Sequence, residues 1–95
     1  MDVNKKQVMR ALIAISVEKV LLDIGKPVFD KVVTKLYKEY QCYIPDCYEH
    51  PNHLNSVLRS VFGNSHASIA QSIKSELKEH LEDDKVLQLI NTMEC

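Results

Sequence analysis

Cys42, Cys47, His50 and His53 fall within twelve residues and supply two thiols and two imidazoles, the ligand types that a structural zinc prefers. Their spacing, C-x4-C-x2-H-x2-H, matches no common zinc module, because Pro51 opens a helix between the histidines and the two rings must then turn inward together. One reading is a zinc or other metal site formed by all four. The competing reading, which the spacing favours, makes the cysteines small buried groups, His50 a helix cap and His53 a first-turn residue. Cys47 with His50 also has the composition of a thiol nucleophile and its base. Such an enzyme needs an orienting third group and an oxyanion site in a pocket, and a chain with two glycines has no glycine-rich loop to build one. Asp46, Glu49, Glu82, Asp83 and Asp84 read as solvated or helix-start carboxylates. No catalytic residue is expected, the chain reads as a non-enzyme, and that zinc is the one cofactor under consideration.

Two further groups of residues could recognise a macromolecule. Two helices joined at Gly63 and Asn64 over residues 54–77, followed by Ser65, His66, Ser68, Gln71 and Lys74, have the layout of a DNA-binding helical hairpin. Arg59 and Ser72 depart from it, since each stands where that motif packs a small or apolar residue. A plain hairpin is the favoured alternative. Tyr37, Tyr40, Tyr43 and Tyr48 bracket the cysteine segment, and a ring with a polar tip suits either the end of a core or an interface. If they cap the core they need no partner; if Tyr43, Ile44 and Tyr48 form a patch with Pro45, that segment is the leading recognition surface. His66 and His80 read as surface or boundary residues, with Glu76 four residues before His80 as its surface partner.

The elements that position these residues follow from apolar spacing and helix punctuation. Asn4 with Gln7 can form a capping box, and a first helix over about 5–24 follows. Val8, Ala11, Leu12, Ile15 and Leu22 recur at helical spacing while Met9, Ile13, Val17, Val20 and Leu21 lie outside that stripe, so apolar residues wrap much of the circumference and this helix is expected to be central in the fold or shared with another copy. Gly25 and Pro27 make a corner. A second, amphipathic helix over 27–41 buries Phe29, Val32, Val33, Leu36, Tyr37 and Tyr40. Residues 42–50 lose the 3.6-residue period and form an ordered loop. Pro51 opens a third helix that buries Leu54, Val57, Leu58, Val61 and Phe62 and ends at Gly63 and Asn64. Ser65 caps a fourth helix reaching about Glu82, with Ile69, Ile73, Leu77 and Leu81 on its face. Asp83 or Asp84 starts a last helix over 85–93. The expectation is an all-α single domain over 1–95, a compact antiparallel bundle of four to five helices with the Cys/Tyr/Pro loop fixed over one end.

Composition sets the outer limits. Ninety-five residues, 45% apolar and 26% charged, allow one modest core. A net charge of −1 removes the broad positive field of a protein held to nucleic acid chiefly by phosphate contacts. Three cysteines fit a reducing, cytoplasmic setting better than a disulfide framework. The apolar stretch 11–24 is interrupted by Ser16, Glu18, Lys19 and Asp23 before it could span a bilayer, and the same charges spoil a secretory signal. Cys95 stands at the wrong place for a prenylation box. No membrane partner is expected. A protein partner is, including a second copy of the chain, because the first and last helices carry more apolar residues than one face requires.

The run GKPVFDKVVTKLYKEYQCYIPDCYEHPNHLNSVLRSVFGNSHASIAQSIKSEL resembles a family of small archaeal helical domains, found alone or attached to sensory modules, of the Nitrosopumilus output domain type. The resemblance covers about residues 21–81, with CYEHP at 47–51 and FGNS at 62–65 as its most recognisable pieces. It brings no catalytic residues. It implies an archaeal cytoplasmic setting and a role as an output or interaction module in regulation.

Overall fold

A computed structural model describes residues 4–94, and among them it contains five α-helices, three short 3-10 segments and no strand. The all-α expectation holds. Helix α1 (Lys5–Ile24) is capped by the Asn4 side chain, which accepts the Lys6 N–H at 2.8 Å rather than the Gln7 N–H of a capping box. Gly25, at φ 156°, then turns the chain through a conformation that side chains other than glycine rarely adopt, and Pro27 sits in the first turn of α2 (Lys26–Tyr40). The second corner, at Gly63 with φ 54°, joins α3 (Pro51–Phe62) through a 3-10 turn (Gly63–Ser65) to α4 (His66–Leu77). The α-helical hydrogen bonding of α4 stops at Leu77 and a 3-10 turn (Lys78–His80) follows, so this helix is shorter than the Glu82 end expected from its apolar period. The last helix is α5 (Asp84–Glu94).

The end of α2 is closed by a residue that gives no sequence warning. Gln41 takes the left-handed conformation at φ 52° and donates its N–H to the Tyr37 carbonyl at 2.8 Å, while the Cys42 N–H reaches the Leu36 carbonyl at 3.4 Å. A left-handed residue just past the last turn is a helix ending usually made with glycine. It turns the chain into the 3-10 segment Ile44–Tyr48, which buries Ile44, Cys47 and Tyr48.

One contiguous core gathers Ile13, Val17 and Leu21 of α1, Leu36 of α2, Leu54 and Leu58 of α3, Ile73 and Leu77 of α4, and Leu89 and Ile90 of α5. Helix α3 packs against α2, α4, α5 and the Ile44–Tyr48 turn. Helix α1 packs mainly on α2, α4 and that turn, and leaves Val8, Ala11, Ile15, Lys19 and Leu22 exposed. Its apolar residues encircle it because one side faces the core while another carries large aliphatic groups into solvent. No helix among the described residues is long and apolar enough to cross a membrane.

Because Gln41 holds a left-handed backbone without being glycine, Gln41→Gly is expected to raise stability by about 0.5–1 kcal/mol. Urea unfolding followed by circular dichroism measures it, and an unchanged or lower midpoint contradicts that account of the corner.

Candidate functional site

The cysteine and histidine residues lie where α2, the Ile44–Tyr48 turn and the start of α3 meet the N-terminal half of α1. Both thiols converge on one backbone oxygen: Cys42 Sγ donates to the Tyr43 carbonyl at 3.5 Å and Cys47 Sγ to the same oxygen at 3.9 Å. Cys42 is 4% exposed and Cys47 fully enclosed. Burial pushes both thiols up, and at Cys47 the neighbouring Cys42 sulfur and the Asp46 carboxylate push further in the same direction. Neither is a thiolate near neutral pH, so the pairing of Cys47 with His50 offers no activated nucleophile in this state.

The imidazoles are stacked rather than aimed at the sulfurs. His53 lies flat against Tyr40, ring centroids 4.2 Å apart, and His50 lies on the other side at 5.0 Å. His50 occupies the N-cap position of α3 without a side-chain capping bond, and His53 lies in the first turn. His53 Nδ1 is buried without a hydrogen-bond partner. Among the described residues, no group of three or more His, Cys, Asp or Glu side chains is placed to hold a metal ion. Cys42, Cys47, His50 and His53 are therefore neighbours in space that do not form a ligand set in this arrangement.

An ion-pair clamp, which the sequence did not reveal, surrounds them. Arg10 of α1 donates from one terminal nitrogen to Asp46 Oδ1 at 2.5 Å and from the other to Glu49 Oε1 at 2.6 Å, and Lys6 reaches Glu49 Oε2 at 2.8 Å. Asp46 Oδ2 also accepts the Tyr43 N–H at 3.0 Å. That N–H, and after it Arg10, holds the Asp46 carboxyl below its ordinary range; Lys6 and then Arg10 do the same for Glu49. Lys6, Arg10, Cys42, His50 and His53 line a cleft of about 400 Å³ whose charges are already matched in pairs. It can hold small polar groups, but its cations are committed to the protein's own carboxylates.

Of the expected recognition surface, only Tyr43 is exposed. Ile44 is 4% and Tyr48 6% exposed, because the 3-10 turn points both into the bundle. The Tyr48 hydroxyl donates to the Asp83 carboxylate at 3.2 Å, and Asp83 Oδ1 in turn accepts the Lys85 and Val86 N–H groups at 3.0 and 3.1 Å, capping α5. Tyr43 instead pairs with Tyr37 of α2, ring centroids 5.5 Å apart and both more than half exposed. The patch is therefore Tyr37 with Tyr43, while Ile44 and Tyr48 are buried.

The hairpin residues divide similarly. Ser65, Ser68 and Gln71 are exposed, while Lys74 is partly buried. His66 is 6% exposed with Nε2 at 2.7 Å from Asn55 Oδ1, and burial together with Arg59 lowers its proton affinity. It fastens α4 to α3 through that bond. Glu76 meets Lys19 of α1 at 3.2 Å and not His80.

A scan against protein-family models found no match, and searches of curated proteins and of solved structures returned none. These comparisons leave the resemblance to the archaeal output domains as an expectation.

Depressed carboxyl pKa values contribute stability that is present above the unfolded values near 4 and is lost as pH falls through the folded ones; a depressed histidine contributes stability present above about 6.5 and lost below it. Thermal midpoints should accordingly fall in two stages on acidification, His66→Gln removing the upper stage and Arg10→Met flattening the lower one without abolishing it. A single stage, unaltered by either substitution, contradicts these assignments. In a Cys95→Ser background, the thiols of Cys42 and Cys47 should react with Ellman's reagent only as fast as the chain opens, and rapid stoichiometric labelling of the folded protein contradicts their placement.

Proposed function

We propose that the chain is a non-enzymatic helical interaction module, the output element of an archaeal cytoplasmic regulatory system, docking through the outer face of α1 and the Tyr37–Tyr43 pair. One observation carries this reading. Val8, Ile15 and Leu22, seven residues apart along α1, are 39, 64 and 46% exposed. Single exposed aliphatic residues are ordinary on protein surfaces, but three in one line are a contiguous strip of the kind that marks association. The thiols support it from the other side, being enclosed and protonated, and the cleft beside them has its charges internally neutralised. A near-neutral chain on which His66 is committed to Asn55 gives nucleic acid no comparable surface.

Site-specific photo-cross-linking in source cells tests the proposal. A photoreactive residue at Ile15 or Tyr43 is expected to yield covalent protein adducts, and one at exposed Lys31 on α2 is not. Absence of adducts from both Ile15 and Tyr43 refutes the reading.

A further inference from the structure

The charges of α1 run against its own backbone dipole. Lys5, Lys6 and Arg10 stand near its N-terminus, where the dipole is positive, and Asp23 in its last turn, where it is negative, while Glu18 and Lys19 offset each other in between; its first turn holds no acid and its last turn no base. At the N-terminal end, Asp46 and Glu49 compensate from within the fold. At the other end, Asp23 is exposed and takes part in no ion pair among the described residues. Such a helix is ill suited to itself and well suited to an antiparallel neighbour of the same sequence.

We propose that two copies of the chain pair through α1, antiparallel, about a two-fold axis at Ile15, with Val8 of each copy against Leu22 of the other. The proposal rests on the reading of α1 as a docking face and names its partner. The strip is symmetric about its middle: Val8 lies seven residues before Ile15 and Leu22 seven after, so a two-fold axis there matches apolar to apolar along about 21 Å of helix. Ala11 and half-buried Leu12 fill the interval on one side of Ile15 and Lys19 stands on the other, so each lysine stem would lie along the small side chain of Ala11 in the facing copy.

Orientation follows from the edges of the strip. Lys5 and Asp23 are eighteen residues apart, about five full turns, so both lie on the same edge of the helix. An antiparallel two-fold brings like edges together and places Asp23 of one copy about two residues, or roughly 3 Å of rise, from the level of Lys5 in the other. Lys5 is 76% exposed and its ion pair within one copy, to Asp83 at 3.8 Å, is the longest among the described residues, so Asp23 of the facing copy competes for it. A parallel pair would also match the aliphatic residues, but would bring both basic ends together, align the dipoles and leave Asp23 facing no cation.

The intact chain with Cys95→Ser tests this by light scattering and by disulfide trapping with oxidised glutathione. The mass is expected to rise with concentration from 10.9 kDa towards twice that value, while Ile15→Asp stays monomeric with an unchanged helical spectrum. Ile15→Cys should link to itself, and Val8→Cys should link to Leu22→Cys when the two are mixed but not to itself. Lys5→Glu or Asp23→Lys alone should weaken dimerisation about three- to tenfold through its two symmetric ion pairs, and the double variant should restore it. A monomer at every concentration, self-linking of Val8→Cys, or no restoration in the double variant overturns the proposal. A monomeric chain whose Ile15 cross-links a different protein overturns self-pairing while leaving the interaction reading intact; no adduct at all removes both.

Discussion

The five residues Ile44–Tyr48 are the constraint on which the rest of the bundle depends. Their 3-10 turn fills the space between α1, α3 and α5, and each of its polar groups ties down a different helix. Asp46, with Glu49 just beyond it, holds Arg10 of α1; the Tyr48 hydroxyl holds Asp83, which caps α5. A turn so short cannot satisfy its own backbone by repetition, and it is stable because its apolar side chains are buried and its carboxylates meet fixed donors. The alignment of the first and last helices is thus set by one segment between the second and third.

That arrangement accounts for the chemistry of the cysteines and histidines. Sulfur, imidazole and carboxylate come close together because they share the same crowded junction, with thiols on a carbonyl, rings against rings, acids on Arg10 and Lys6, and His53 Nδ1 left without a hydrogen-bond partner. Because the apolar interior is supplied by only one side of α1, its remaining aliphatic residues have nowhere to go within a single copy, and the outward strip is the cost of a small bundle.

Much of the fold was legible from punctuation. Asn4, Gly25, Pro27, Pro51 and Gly63 each stand at a helix boundary in the structure, since capping oxygens, positive φ and a missing N–H act locally and need no tertiary knowledge. Gln41 was illegible because its left-handed turn is imposed on a residue with no special preference for it. The end of α4 was hidden because Leu81 prolongs the apolar period after the helix itself has loosened. Site residues were less legible. Tyr48 and Ile44 stay open between core cap and surface patch in the sequence because a 3-10 turn has no 3.6-residue signature to betray which side is buried. Arg10 carries no sequence mark of its partners, because Asp46 and Glu49 lie 36 and 39 residues away and read as solvated or helix-start carboxylates. Tyr37 falls on the apolar period of α2 and so reads as core, whereas in the structure it pairs with Tyr43 and both rings are more than half exposed.

The Arg10 clamp joins positions 36 and 39 residues apart, and Tyr48 finds Asp83 across another 35. A chain leaving the ribosome therefore makes α1 well before any of its anchors exist. Until residue 49 emerges, Arg10 has no carboxylate and both apolar sides of α1 lie open, so the first helix cannot settle alone and must wait for the middle of the chain. The same link gives the mature domain cooperativity: release of the turn frees both ends of the polypeptide at once.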